Sequence, residues 1–223
     1  MLLSLQSPVP RPPSPVPKTI ATHNMNKVST QVLALFEQID QQTEEFRQAT
    51  GLSCPSDCGR CCDRPSVDAT VLDVLPLAIA LFQQGKAEEI LDQLETNSLQ
   101  RCIFYQPDPS NSQKGRCGVY TWRPSLCRLF GYATVRDKRG QPQLAACAEL
   151  KATRSLTLTH IQQQLAEGLS APSFVEFATQ METIDPTIGS QRFPINQAIQ
   201  LALQKVGLRA QFLDLEDQAD VGH

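Results

Sequence analysis

Cys54, Cys58, Cys61 and Cys62 put four thiols within nine residues, and four more stand at Cys102, Cys117, Cys127 and Cys147. Thiolate sulfur is a soft donor that suits zinc, iron–sulfur clusters and Cu(I). Spacings of two to four residues let one turn of backbone aim several sulfurs at a common centre. Cys54, Cys58 and Cys61 meet that spacing, with Gly59 relaxing the backbone between them. Cys62 differs, because neighbouring side chains on extended backbone point to opposite faces. It serves either a second centre or a polynuclear site with bridging thiolates; eight sulfurs suffice for two four-sulfur sites. Histidine adds little: His23 falls in a Pro-rich leader, His223 is terminal, and His160 sits in an expected helix as a surface or half-buried residue. The expected site is essentially all thiolate.

Charge is distributed to match. From residue 101 to 139, Arg101, Lys114, Arg116, Arg123, Arg128, Arg136, Lys138 and Arg139 face only Asp108 and Asp137, a local excess of six in a chain of net charge −3. Guanidinium groups favour an anionic thiolate centre and lower thiol pKa values. A solvated basic face or a phosphate-binding patch is the plainer reading, since only Arg123 and Arg128 interleave tightly with cysteines.

The wider composition narrows the classes. A net charge of −3 argues against coating nucleic acid or an anionic membrane. No apolar run approaches the ~20 residues of a membrane span. Met1-Leu2-Leu3-Ser4-Leu5 lacks a basic flank and a sustained apolar stretch, so no signal peptide and a cytoplasmic setting are expected. In a reducing compartment eight cysteines read as ligands or catalytic thiols rather than four disulfides. Cys54-x3-Cys58-x2-Cys61 also has the spacing of radical SAM enzymes. The helix-rich remainder cannot supply their repeated strand–helix barrel, and Arg60 stands where an aromatic is usual. A thioredoxin-like dithiol at Cys61-Cys62 lacks its strand–helix context. No phosphate loop, nucleophile elbow or paired carboxylates stand out.

The elements that must position the thiols follow from periodicity. Residues 1–28, with Pro8, Pro10, Pro12, Pro13, Pro15 and Pro17, are expected to be a disordered tail. Residues 29–50 predict an amphipathic helix with Val32, Leu35, Phe36, Ile39, Thr43 and Phe46 on one face, closed by Gly51. A second helix, capped by Ser66 or Asp68, runs through Leu72 to Phe82 with a kink or break at Pro76; Lys86–Asn97 is a third. Strands at 101–105 and 116–120 flank a turn-rich segment, and a short helix Ser125–Phe130 carries Cys127, with Pro124 at its first position. A second hairpin spans 132–147, and helices follow at about 157–168, 172–182 and 194–206 before an acidic tail. The expected fold is mainly α, a single domain with small β-hairpins around a cysteine-rich metal site. Its parts are a metal-binding region at 29–150 and a packed helical region at 151–223.

Cys54-x3-Cys58-x2-Cys61-Cys62, then Arg101-Cys102, then Cys117-x2-Tyr120-x2-Arg123-Pro124-x2-Cys127-Arg128 resembles the YkgJ-type cysteine-cluster family. That family is described as zinc- or iron-chelating and often labelled iron–sulfur. The resemblance covers about residues 50–150. It implies that Cys54, Cys58, Cys61, Cys62, Cys102, Cys117, Cys127 and Cys147 are metal ligands, and that Tyr120, Arg123 and Arg128 support them. Tyr120 and Trp122 read equally well as core aromatics. The expected function is a metal-binding protein holding an iron–sulfur cluster of [4Fe–4S] type, or zinc. Its role would be electron transfer or metal and cluster handling with a protein or redox partner. The alternatives are an oxidoreductase or modifying enzyme using the cluster, and a zinc-stabilised interaction module.

Overall fold

The computed structural model describes residues 23–55, 58–64, 67–96 and 101–220, without the side chains of 23–24, 112–113 and 212–220. Helix α1 (His23–Thr50) follows from its apolar period: Val32, Leu35, Phe36, Ile39, Thr43 and Phe46 are all at most 8% exposed. It begins ahead of the expected residue 29, so His23 to Val28 are helical and not part of a leader. The rest of the expected tail, residues 1–22, lies outside the described residues. Gly51 ends α1 at φ 65°, donating its N–H to Arg47 O at 2.8 Å as a left-handed C-terminal residue does.

Strand β1 (Asp68–Thr70) leads into α2 (Val71–Gln83). The cap is Thr70, not Ser66 or Asp68: its Oγ1 accepts from Asp73 N while Asp73 Oδ2 accepts from Thr70 N, a capping box. The helix continues through Pro76 without a break. A mid-helix proline costs about 3 kcal/mol. Val71, Leu72, Val74, Leu75, Leu77 and Leu81 are all buried, each contributing roughly 1.5–3 kcal/mol, so burial wins.

Helix α3 (Ala87–Thr96) follows, then the antiparallel hairpin β2 (Tyr105–Asp108) and β3 (Asn111–Cys117). The hairpin forms where expected, but its strands occupy the stretch expected to turn. Asp108 reverses the chain by accepting from Ser110 N and Oγ at 2.8 and 2.7 Å, which shortens the turn. A 3₁₀ turn (Tyr120–Trp122) precedes α4 (Ser125–Leu129), whose N-cap position, rather than its first turn, holds Pro124. The second hairpin is β4 (Thr134–Arg136) with β5 (Pro142–Leu144).

The C-terminal part contains α5 (Ala148–Thr153), α6 (Ser155–Ala166), α7 (Phe174–Ile184), α8 (Pro186–Gly189), β6 (Arg192–Pro194) and α9 (Ile195–Asp220). Helix α9 runs on through the stretch read as an acidic tail. Helices α5 and α8, and the antiparallel pairing of β1 with β6, had no sequence signal. Asp68 faces Pro194 and Thr70 faces Arg192, which brings the start of α9 beside the start of α2. The expected mainly α architecture with small two-stranded hairpins is the one observed.

Two buried clusters result. The larger packs α1, α2, α7 and α9 through residues such as Phe36, Leu72, Leu75, Phe177, Ile199 and Leu203. The smaller gathers Phe46, Leu52, Leu150, Ile161 and Leu165. Helix α1 joins them, giving Val32 to Ile39 to one and Phe46 to the other. Between those two stretches it presents Asp40, Thr43 and Glu44 to a cavity, and Arg47 just beyond them.

Candidate metal centre

That cavity, about 750 Å³, is lined by all eight cysteines. They arrive from five places: the loop after α1, the segment before β2, the end of β3, α4, and the N-cap of α5. No histidine is among the lining residues described, and His160 is exposed on α6.

The cysteine loop is pinned by backbone contact. Gly59 has φ 56°, and a Cβ there would come within 2.5 Å of the Gly115 backbone and 2.9 Å of the Tyr105 ring. The loop therefore lies directly on the β2–β3 hairpin, and only glycine permits both the conformation and the approach. Cys62 N donates to Gly59 O at 2.9 Å, and Cys102 N donates to Cys62 O at 3.0 Å. Asn196, near the start of α9, holds the segment around Cys102 from the other side: its Oδ1 accepts from Ile103 N and its Nδ2 donates to Arg101 O, both at 2.9 Å.

Cys62, Cys102, Cys117 and Cys127 form one neighbourhood. Cys62 is buried, and Cys102 and Cys127 pack against the larger cluster. The Cys62 thiol is hydrogen-bonded to Cys117, which with burial pushes Cys62 far up; the same bond lowers Cys117 to about 7. Burial pushes the Cys102 thiol up to about 11 and raises Cys127 as well.

Cys54, Cys58, Cys61 and Cys147 form a second neighbourhood. Cys61 is pushed up to about 12 by burial, then by the charges of Cys54, Cys147 and Cys58. Cys54 is exposed; its backbone N–H donates to the Tyr132 hydroxyl at 3.0 Å. Burial and contact with Cys54 push Tyr132 up to about 12. Cys147 caps α5, its Sγ accepting from Leu150 N at 3.3 Å, and both Tyr132 and Cys147 pack on the smaller cluster. Across the two sets, the charge of Cys61 acts on Cys127 and raises it. Cys61 and Cys62, adjacent in sequence, face different sets.

The two interleaved arginines differ in role. Arg128 is buried; it forms an ion pair with Asp40 on α1, donates to Arg123 O at 2.9 Å and Thr121 O at 2.5 Å, and lies over the Phe36 ring. It ties α4 and the 3₁₀ turn to α1. Arg123 stacks on Tyr120 at 3.9 Å, and its charge lowers Cys54, Cys61 and Cys117, reaching both sets. The rest of the basic excess divides: Arg116 lines the cavity and donates to Gln106 Oε1 at 3.2 Å, whereas Arg101 lies over Tyr105 and Arg136 donates to Gly140 O. Tyr120 is 62% exposed, so it is not a core aromatic, whereas Trp122 packs against the larger cluster.

Sequence reading missed Asp73, Asp40, Tyr132 and Asn196 as positioning residues. Asp73, 2% exposed, also accepts from Ser125 N at 3.1 Å and Oγ at 2.5 Å, fastening the start of α4 to α2. The Thr70-x-x-Asp73 capping pattern was a legible signal for half of that role. Asp40, Tyr132 and Asn196 act across long sequence separations that carry no local pattern.

The donor set fits a thiophilic ion or cluster, since eight soft sulfurs line the cavity against the two carboxylates of Asp40 and Glu44. As they stand, no three His, Cys, Asp or Glu side chains among the described residues are set to hold a metal ion. Neutral thiols have no reason to crowd; ligation must deprotonate them and draw them inward. No helix among the described residues is long and apolar enough to cross a membrane. No curated protein and no solved structure matches the chain. One family model does, over residues 53–153: CxxCxxCC, described as "Putative zinc- or iron-chelating domain". That span contains every cysteine but none of α1 or α9, so the similarity to a zinc- or iron-chelating domain covers the cysteine-bearing part of the chain.

Proposed function

We propose that this protein holds iron, as an iron–sulfur cluster, or zinc through the thiolates of Cys54, Cys58, Cys61, Cys62, Cys102, Cys117, Cys127 and Cys147, and serves in electron transfer or in metal and cluster handling. The observation that carries this reading is the convergence of all eight thiols on one cavity with no histidine among its described lining residues. All-sulfur ligation favours iron–sulfur over zinc as the leading occupant. Arg123 suits such a centre, because its charge offsets developing thiolate charge in both neighbourhoods. Exposed Cys54 leaves one edge of the site within reach of a protein partner.

Anaerobic purification followed by iron, zinc and acid-labile sulfide determination tests it. Matched iron and sulfide with visible absorption is the expected result. Stoichiometric zinc without colour would make the centre structural and remove the electron-transfer role. Eight free thiols and no metal would overturn the proposal.

A further inference from the structure

We infer that the cysteine cavity is divided into two unlike four-thiolate metal centres, an inner one of Cys62, Cys102, Cys117 and Cys127 and an outer, exchangeable one of Cys54, Cys58, Cys61 and Cys147. This rests on the proposed metal-binding reading and deepens it. The division is built into the fold. Cys102 is bonded through backbone to Cys62, Cys117 lies opposite Tyr105 in the hairpin, and Cys102 and Cys127 pack on the larger cluster. Cys147 instead caps α5 over the smaller cluster, where Tyr132 also packs while receiving the Cys54 N–H. The Cys61–Cys62 peptide joins the two sets within a turn closed by Cys62 N donating to Gly59 O.

Access differs at the extremes of the two sets, the other six cysteines being half-buried alike. Cys62 is 9% exposed, and the inner set sits between the hairpin, α4 and the start of α9. Cys54 is exposed and Cys58 half-buried, on a loop ahead of the hairpin. An ion in the outer set is reachable by a chelator or a partner's thiol, whereas one in the inner set is released only when packed elements part. The inner centre then stabilises the fold, and the outer one exchanges metal.

Co(II) is the probe, because its absorption reports the number of thiolate ligands. The reduced, metal-free full chain should take up two ions per chain, both with thiolate charge-transfer bands. A chelator should then remove them in two phases, one ion in each. Cys54→Ser, Cys147→Ser and the double variant should each keep one ion and lose the fast phase, because the two cysteines serve the same centre. Serine at 147 can still cap α5, so these variants retain their secondary structure, which circular dichroism checks. A single ion per chain, release in one phase, or loss of all metal from the folded double variant would establish one shared polynuclear site and overturn the division. Absence of any bound ion would overturn the metal-binding reading itself.

Discussion

Around Cys62, Cys102 and Cys127 the cavity wall is part of the larger core, while around Cys54 and Cys147 it rests on a loop and a cluster of five buried side chains among the described residues. On the first side, position is enforced several times over. Asp73 fastens α4 to α2, Asn196 fastens the Cys102 segment to α9, and Arg128 fastens α4 to α1. On the second side, Cys54 is held by Tyr132 alone, through its backbone N–H and its thiol, and Cys147 by its capping contact, among the described residues. The same ligand type is thus presented with two degrees of preorganisation. Where packing already fixes a thiol, a bound metal would add strength; where it does not, the metal would supply the order.

Metal removal should show the largest effect. Structural thiolate sites contribute on the order of 10 kcal/mol to folding, so chelation should lower the urea midpoint steeply and open the outer wall to hydrogen exchange first. Acidity should act in the same direction. Cys61 and Cys102, raised to about 12 and about 11, hold protons at neutral pH that metal must displace. Affinity should therefore fall about tenfold per pH unit lowered for each proton displaced, read by a pH indicator during titration. In the metal-free protein the sign reverses: these raised groups favour the folded state below the unfolded thiol value of 9.0, and that contribution disappears as pH climbs through 11 to 12. Urea midpoints across that range check it.

Asp73→Ala should cost about 3–5 kcal/mol, because buried donors of Thr70 and Ser125 lose their acceptor together. Leu150→Ala, at a fully buried position of the smaller cluster, should cost about 2–4 kcal/mol. The pair sharpens the contrast through hydrogen exchange in the metal-free chain. Asp73→Ala should expose α2 and α4, and Leu150→Ala should expose α5 and α6 while α2 stays protected. Equal opening of both regions by either change would mean that the two clusters fold as one unit.

The smallest effect separates capping from ligation at one residue. Without metal, Cys147→Ala should lose up to about 1 kcal/mol through the lost cap of α5, whereas Cys147→Ser should be within about 0.5 kcal/mol of the parent. With metal both should lose the same ion. A serine variant as unstable as alanine would show that the Sγ contact with Leu150 N contributes through sulfur packing instead.

How much of this was legible beforehand depends on the range of the interactions. The buried face of α1 and its Gly51 stop were readable, because helix period and a left-handed terminus are local properties. The Pro76 helix was misread, since burial on nearly every side outweighs one missing hydrogen bond. The hairpin strands were placed too far out, because an Asx turn at Asp108 set the reversal. The β1–β6 pairing was invisible: three-residue strands carry no period, and their partners lie more than a hundred residues apart.

By itself the sequence pointed to the donor chemistry, because eight cysteines without a usable histidine favour soft, all-sulfur ligation. It also set Cys62 apart from Cys54, Cys58 and Cys61 by spacing, as serving a second centre or a polynuclear site. Only the tertiary structure decided which thiols are neighbours, which arginine reaches them, and that the two sets stand on different cores. Those outcomes depend on how α1, the hairpin and α9 pack across the cavity, and packing between distant segments is not encoded in any local spacing.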